Sequence, residues 1–155
     1  MDTVTYPTDE VIQEINDLFV PLKSQCNFVK PTELMKKYRV RWTPTLFVLE
    51  QDGNPRFHTV GYMPPAELVG QLELIRAMEN FDIGQLELAM AELRSVADRY
   101  PASAAAPQAI FYEGVARYKQ THEPKHLKRV YVELQKRYPG SLWAKKATPC
   151  EEAPD

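Results

Sequence analysis

Tyr38-Arg39-Val40-Arg41-Trp42-Thr43-Pro44-Thr45-Leu46-Phe47-Val48-Leu49-Glu50-Gln51-Asp52-Gly53-Asn54 joins a polar, proline-marked approach to an apolar run and a turn signal. Residues 45–50 are a nearly continuous apolar run, which predicts a strand buried on both faces. Gln51-Asp52-Gly53-Asn54 is turn chemistry, because Asp and Asn bond their own backbone and Gly accepts positive φ. Beyond it Phe57-His58-Thr59-Val60-Gly61-Tyr62 alternates with period two, so the two runs read as a β-hairpin.

Upstream, Val11, Ile12, Ile15, Leu18 and Phe19 recur at helical spacing after Thr8-Asp9, with Asp9 and Glu10 where a helix dipole favours acids. Phe19-Val20-Pro21-Leu22-Lys23 reads as a short strand, with Pro21 hinting at an edge. Lys30-Pro31-Thr32-Glu33 opens a second helix that turns Leu34, Met35 and Tyr38 inward, Pro31 suiting a first helical turn. Downstream, Met63-Pro64-Pro65-Ala66-Glu67 starts a third helix through Leu68, Leu72 and Ile75. The order is helix, strand, helix, strand, strand, helix.

The second half holds no convincing strand, only amphipathic helices and a near-repeat. Arg99-Tyr100-Pro101-Ala102-Ser103, then Ala106 and Ala109, is echoed 38 residues later by Arg137-Tyr138-Pro139-Gly140-Ser141, then Ala144 and Ala147. A helix precedes each Tyr-Pro, through Leu86, Ala89, Met90, Leu93, Val96 and Ala97 and through Leu127, Val130, Tyr131 and Leu134. Another follows the first, through Ala109, Ile110, Tyr112, Gly114, Val115 and Tyr118. Proline cannot continue a helix, so each Tyr-Pro-x-Ser marks a stop and a reversal. The small residues Ala89, Ala109, Gly114 and Ala116 allow close helix approach, and Tyr100, Tyr112, Tyr118, Tyr131 and Tyr138 read as inter-helix packing. Residues 148–155, with two prolines and three acids, are expected to fray.

Composition narrows the function classes. Nineteen Lys and Arg against twenty-one Asp and Glu leave a formal charge of −2, which argues against an electrostatically driven nucleic-acid binder. No apolar run approaches the ~20 residues that a bilayer crossing needs, and no signal peptide is visible at the N-terminus, so a cytoplasmic protein is expected. Cys26 and Cys150 cannot make a disulfide framework or a local redox pair. His58, His122 and His126 share no metal-ligand spacing, and His122 and His126 fall in an expected solvated loop and helix start. Glu10 and Glu14 read as a solvated helical face. No phosphate loop or serine-nucleophile motif appears, and no cofactor is expected.

The run from Tyr38 through Trp42-Thr43-Pro44-Thr45-Leu46, with Asp52-Gly53, Gly61-Tyr62 and Pro64-Pro65-Ala66-Glu67-Leu68 behind it, resembles the C-terminal half of a thioredoxin-fold domain. Glu10 to Lys23 resembles the helix-strand segment after that family's active site. The second half resembles tetratricopeptide-like helical repeats. The fold class expected is therefore α/β thioredoxin-like, incomplete because its first core strand is missing, followed by an all-α helical-repeat region. The expected divisions are residues 1–78, 79–148 and a disordered tail at 149–155.

The resemblance implies a cis bond at Thr43-Pro44 and a substrate-docking loop at Trp42, Thr43 and Pro44. It also places Cys26, a candidate lone thiol, at the same rim. The family's Cys-x-x-Cys pair, in which one thiolate attacks a disulfide and the second resolves the intermediate, has no counterpart here. No catalytic residue is assigned. Two alternatives follow. The chain is a thiol-disulfide oxidoreductase domain seen without its active-site segment, the native start lying upstream of Met1, with a helical protein-binding extension. Alternatively, it is a non-catalytic adaptor. Both imply a protein or peptide partner, no nucleic acid and no membrane. With the central strand missing, the edges of residues 20–23 and 45–50 invite self-association through the sheet gap.

Overall fold

The computed structural model describes residues 1–154, and it divides into two compact units, Met1–Pro65 and Ala66–Asp155. In the first, α1 (Asp9–Leu18) starts with the acids Asp9 and Glu10, which favour the positive end of the helix dipole. It buries Val11 fully while Ile12 stays exposed. Ahead of it, Thr5 is buried and donates from Oγ1 to the Met63 carbonyl at 2.6 Å. α2 (Glu33–Lys37) is capped by Thr32, whose Oγ1 accepts from the Met35 amide at 3.2 Å. Pro31 precedes that cap rather than sitting in the first turn. Of the three residues expected inward, Met35 is buried, Tyr38 is half-buried and Leu34 is exposed. The helix ends through Arg39, whose φ of 51° is left-handed and turns the chain towards the hairpin.

β1 (Thr45–Leu49) and β2 (Pro55–Val60) pair antiparallel, with Thr45 opposite Val60 and Phe47 opposite His58. The turn closes as expected: the Gly53 amide donates to Glu50 O and the Asn54 amide to Asp52 Oδ1, both at 2.9 Å. Gly53 holds φ +80°, a conformation that favours glycine. Phe47 stacks on His58, and Tyr38 packs against Phe47 with centroids 5.1 Å apart. The Tyr38 hydroxyl donates to Gly53 O at 3.0 Å, so α2 is tied to the hairpin turn.

Three sequence expectations fail here. Residues 20–23 are not a strand, and their backbone enters no sheet; Val20 is 96% and Leu22 82% exposed. A strand exists only through pairing, Pro21 has no amide to pair, and β1 and β2 pair only with each other. No gap between two strands therefore exists; β1 has one open edge. For the same reason β1 is half-buried and not covered on both faces.

The second unit is helical: α3 (Pro65–Asp82), which starts one residue before it, α4 (Leu86–Arg99), α5 (Ala105–Thr121), α6 (Lys125–Arg137), α7 (Leu142–Lys146) and a 3-10 helix, Thr148–Glu152. The division expected after residue 78 falls inside α3, which runs on to a stop at Gly84, φ +81°. The tail expected to be disordered instead forms that 3-10 helix, packed on α6; Asp155 lies outside the described residues. The core comprises Leu74, Leu93, Val96, Ile110, Val130 and Leu134 among alanines, with Phe81, Phe111, Tyr112 and Trp143 in contact as rings beside it.

The near-repeat is visible as matched turns. Tyr100 and Tyr138 are both C-caps, donating their amides to Val96 O and Leu134 O, and Ser103 and Ser141 donate theirs back to Tyr100 O and Tyr138 O. Arg99 lies over the Tyr100 ring as Arg137 lies over that of Tyr138. Gly114 permits the closest approach: a Cβ there would sit 1.8 Å from Val130 Cγ2. Among the described residues no helix is long and apolar enough to cross a membrane.

Candidate functional site

The loop Trp42-Thr43-Pro44 leads directly into β1. The Thr43–Pro44 peptide bond is cis, as the resemblance implied. Two hydrogen bonds fix the loop: Thr45 Oγ1 donates to Trp42 O at 2.6 Å, and the Gly61 amide donates to Pro44 O at 2.8 Å. The first closes the loop on itself and the second anchors it to the end of β2. Between them Trp42 stands 67% exposed, a large flat apolar surface held on a braced backbone. Among the described residues its neighbour β1 has only β2 as a sheet partner, so its other edge is open to strand pairing.

Cys26 lies in the irregular segment between α1 and α2. It is partly buried, and the adjacent Asn27 amide contacts Met35 Sδ at 3.3 Å. No hydrogen bond joins it to residues 42–44. Cys150 is also free and belongs to the other unit; burial pushes its thiol above the ordinary 9.0. Both are free thiols, and no Cys-x-x-Cys spacing provides an attacking and a resolving pair.

Of the histidines, His58 is absorbed into the stack on Phe47 and His122 is exposed. His126 overturns the expectation of a solvated position: it is buried, with Nε2 3.2 Å from Glu123 Oε2 but not aligned for a hydrogen bond. Among the described residues no group of three or more His, Cys, Asp and Glu side chains could hold a metal ion. Tyr100 is buried and donates to Glu73 Oε1 at 3.1 Å, while Tyr112 joins the ring cluster, so these two pack between helices.

The sequence reading missed an ionic network on three helices. Arg94 of α4 reaches Glu113 of α5 at 3.1 Å and Glu133 of α6 at 2.9 Å; Arg117 also holds Glu113, and Arg137 also holds Glu133. Burial pushes the Glu133 carboxyl up, but hydrogen bonds from Arg94 and Arg137 outweigh it and leave it below the ordinary range. Only the i, i+4 pairs Glu113–Arg117 and Glu133–Arg137 were legible in the sequence, since Arg94 arrives by tertiary packing.

With this geometry in view, residues 2–76 match the family model described as a thioredoxin-like domain. The N-terminal half of the chain therefore carries a thioredoxin-like domain, and the match runs past the hairpin into α3. No curated protein and no solved structure matches the chain. The helical half is consistent with paired helices, but no repeat family is matched.

Proposed function

We propose that this chain is a thioredoxin-like protein-binding module that docks an extended peptide at the rim formed by Trp42, Thr43, Pro44 and the open edge of β1, with the helical half, read as tetratricopeptide-like, as a second protein-binding surface. The observation that carries it is the exposed Trp42 on a loop braced by two hydrogen bonds, next to an unpaired strand edge. An extended peptide adding to that edge gains main-chain hydrogen bonds, and an exposed aromatic supplies the anchoring contact. A second copy competes for the same edge, so self-association belongs to the same reading. The setting proposed is cytoplasmic.

The test is fluorescence anisotropy with a labelled extended peptide of alternating Val and Thr. Binding should weaken by about tenfold or more in Trp42→Ala, the scale of an interface hot spot. Unchanged affinity in a folded variant would remove the rim from the binding surface.

A second reading keeps the domain as part of a thiol-disulfide oxidoreductase whose cysteine pair is supplied from upstream of Met1. The match to a thioredoxin-like domain favours it, together with a loop that in that family faces the redox cysteines. The nucleotide sequence before the Met1 codon separates the two: an in-frame strand ending in Cys-x-x-Cys supports the oxidoreductase, and an upstream stop codon supports the module.

A further inference from the structure

α6 carries Lys125, Lys128, Arg129, Val132 and Lys136 at i, i+3, i+4, i+7 and i+11, which places all five on one helical face. With Glu133 and Arg137 they line an open depression. Five cations and a single acid share this surface, in a chain whose overall charge is −2. The acid is already engaged, because Arg94 and Arg137 both hold Glu133, and of the cations Lys125 is paired with Glu123 at 2.8 Å. Arg129 and Lys136 have no ion-pair partner among the described residues, and Val132 stands 57% exposed in the middle of the stripe.

This arrangement works against the helix itself. Like charges three and four residues apart repel, and Lys125 and Lys128 sit in the first turn, where the dipole disfavours cations. The core packing of α6 uses the opposite face, through His126, Val130 and Leu134, and does not need these charges.

We propose that this face docks an acidic amphipathic segment of a partner protein, its carboxylates meeting Lys125, Lys128, Arg129 and Lys136 and one apolar side chain covering Val132. The inference deepens the protein-binding reading of the helical half and rests on it. An apolar contact inside a charged rim is the anatomy of a protein interface. A nucleic-acid backbone would leave Val132 without a role, and the acidic remainder of the chain would repel a long polyanion.

The experiment is fluorescence anisotropy on the full chain with a labelled 15-residue helical peptide carrying Glu at i, i+3, i+7 and i+11 around a central Leu. The same peptide with Ser for Leu and a twelve-nucleotide uridine RNA are titrated alongside. The expected result is binding of the Leu peptide that weakens at least tenfold in Arg129→Glu/Lys136→Glu. It should also weaken severalfold in Val132→Ser and with the Ser peptide. Circular dichroism verifies folding, and Lys136→Ala serves if the double reversal unfolds; it should weaken binding about threefold. Absence of Leu-peptide binding, or affinity unchanged in folded variants, overturns the inference. So does tighter binding of the RNA, or sedimentation showing that the variants abolish self-association in place of peptide binding. The Trp42 rim is read by a different peptide and a different variant, so either result leaves that reading to stand or fall separately.

Discussion

At the scale of single residues, Gly114 is the position with least freedom. The Cβ that any other residue would add meets Val130 Cγ2 at 1.8 Å, so α5 and α6 must separate or Val130 must leave its rotamer. Gly114→Ala should therefore destabilise the protein by about 1–3 kcal/mol, the usual cost of overpacking a close-packed core. Gly140→Ala, where nothing lies within 4 Å of the added carbon, should stay within about 0.5 kcal/mol of the parent. Urea denaturation of the two variants checks this, and equal midpoints would show that the α5–α6 contact is looser than described. Glu133 supplies a second expectation at this scale. Its carboxyl is held below the ordinary 4.5 in the folded chain, so its contribution to stability is present above that value and is lost as pH falls through the depressed folded value. Thermal melts between pH 6 and pH 3 should show a shallower acid-side decline in Glu133→Gln, from a lower starting stability. An identical decline would mean that the Arg94–Glu133–Arg137 contacts do not persist in solution.

Among elements, the hairpin and the helices differ in how they are supported. β1 and β2 pair only with each other, β1 is half-buried, and its other edge is open. A two-stranded hairpin is marginal alone, so its protection depends on contacts such as Tyr38 on Phe47. α4 buries Ala89, Leu93, Val96 and Ala97 completely, against a continuous core. Hydrogen exchange should therefore find the amides of residues 45–49 opening more readily than those of residues 93–97. Equal protection would show that the hairpin has support beyond its own pairing. The failure of the strand expected at residues 20–23 has the same origin. Phe19 and Val20 favour extended backbone, but local preference for a strand has no effect without a neighbour to pair with.

For the whole molecule, the decisive chemical fact is the cysteine inventory. Cys26 and Cys150 are both free, and they stand far apart in the sequence with no Cys-x-x-Cys spacing. Dithiol reduction needs an attacking thiolate and a resolving thiol within local reach. The 155-residue chain should therefore reduce insulin no faster than dithiothreitol alone, with Cys26→Ser indistinguishable from the parent. Turnover well above background that disappears in Cys26→Ser would restore a redox role to that thiol. The net charge of −2 describes the molecule correctly but conceals α6, where five cations meet one acid. Counting charge along helical faces would have exposed that stripe from the sequence, because i, i+3, i+4 spacing is a local property.

Features under short-range chemical control were readable from the residues alone. Gly53 and Asp52 make the hairpin turn, Thr32 caps α2, Tyr-Pro stops α4 and α6, and apolar spacing marks the helices. The cis bond at Thr43-Pro44 was legible through resemblance, although the exposure of Trp42 was not. Outcomes that need a distant partner emerged with the packed fold. The open edge of β1, the unpaired extended segment at residues 20–23, the burial of His126 and the engagement of Glu133 by Arg94 are of this kind. Each depends on which groups the fold brings into contact, and that information lies in packing and pairing between separate segments rather than in the preference of any one of them.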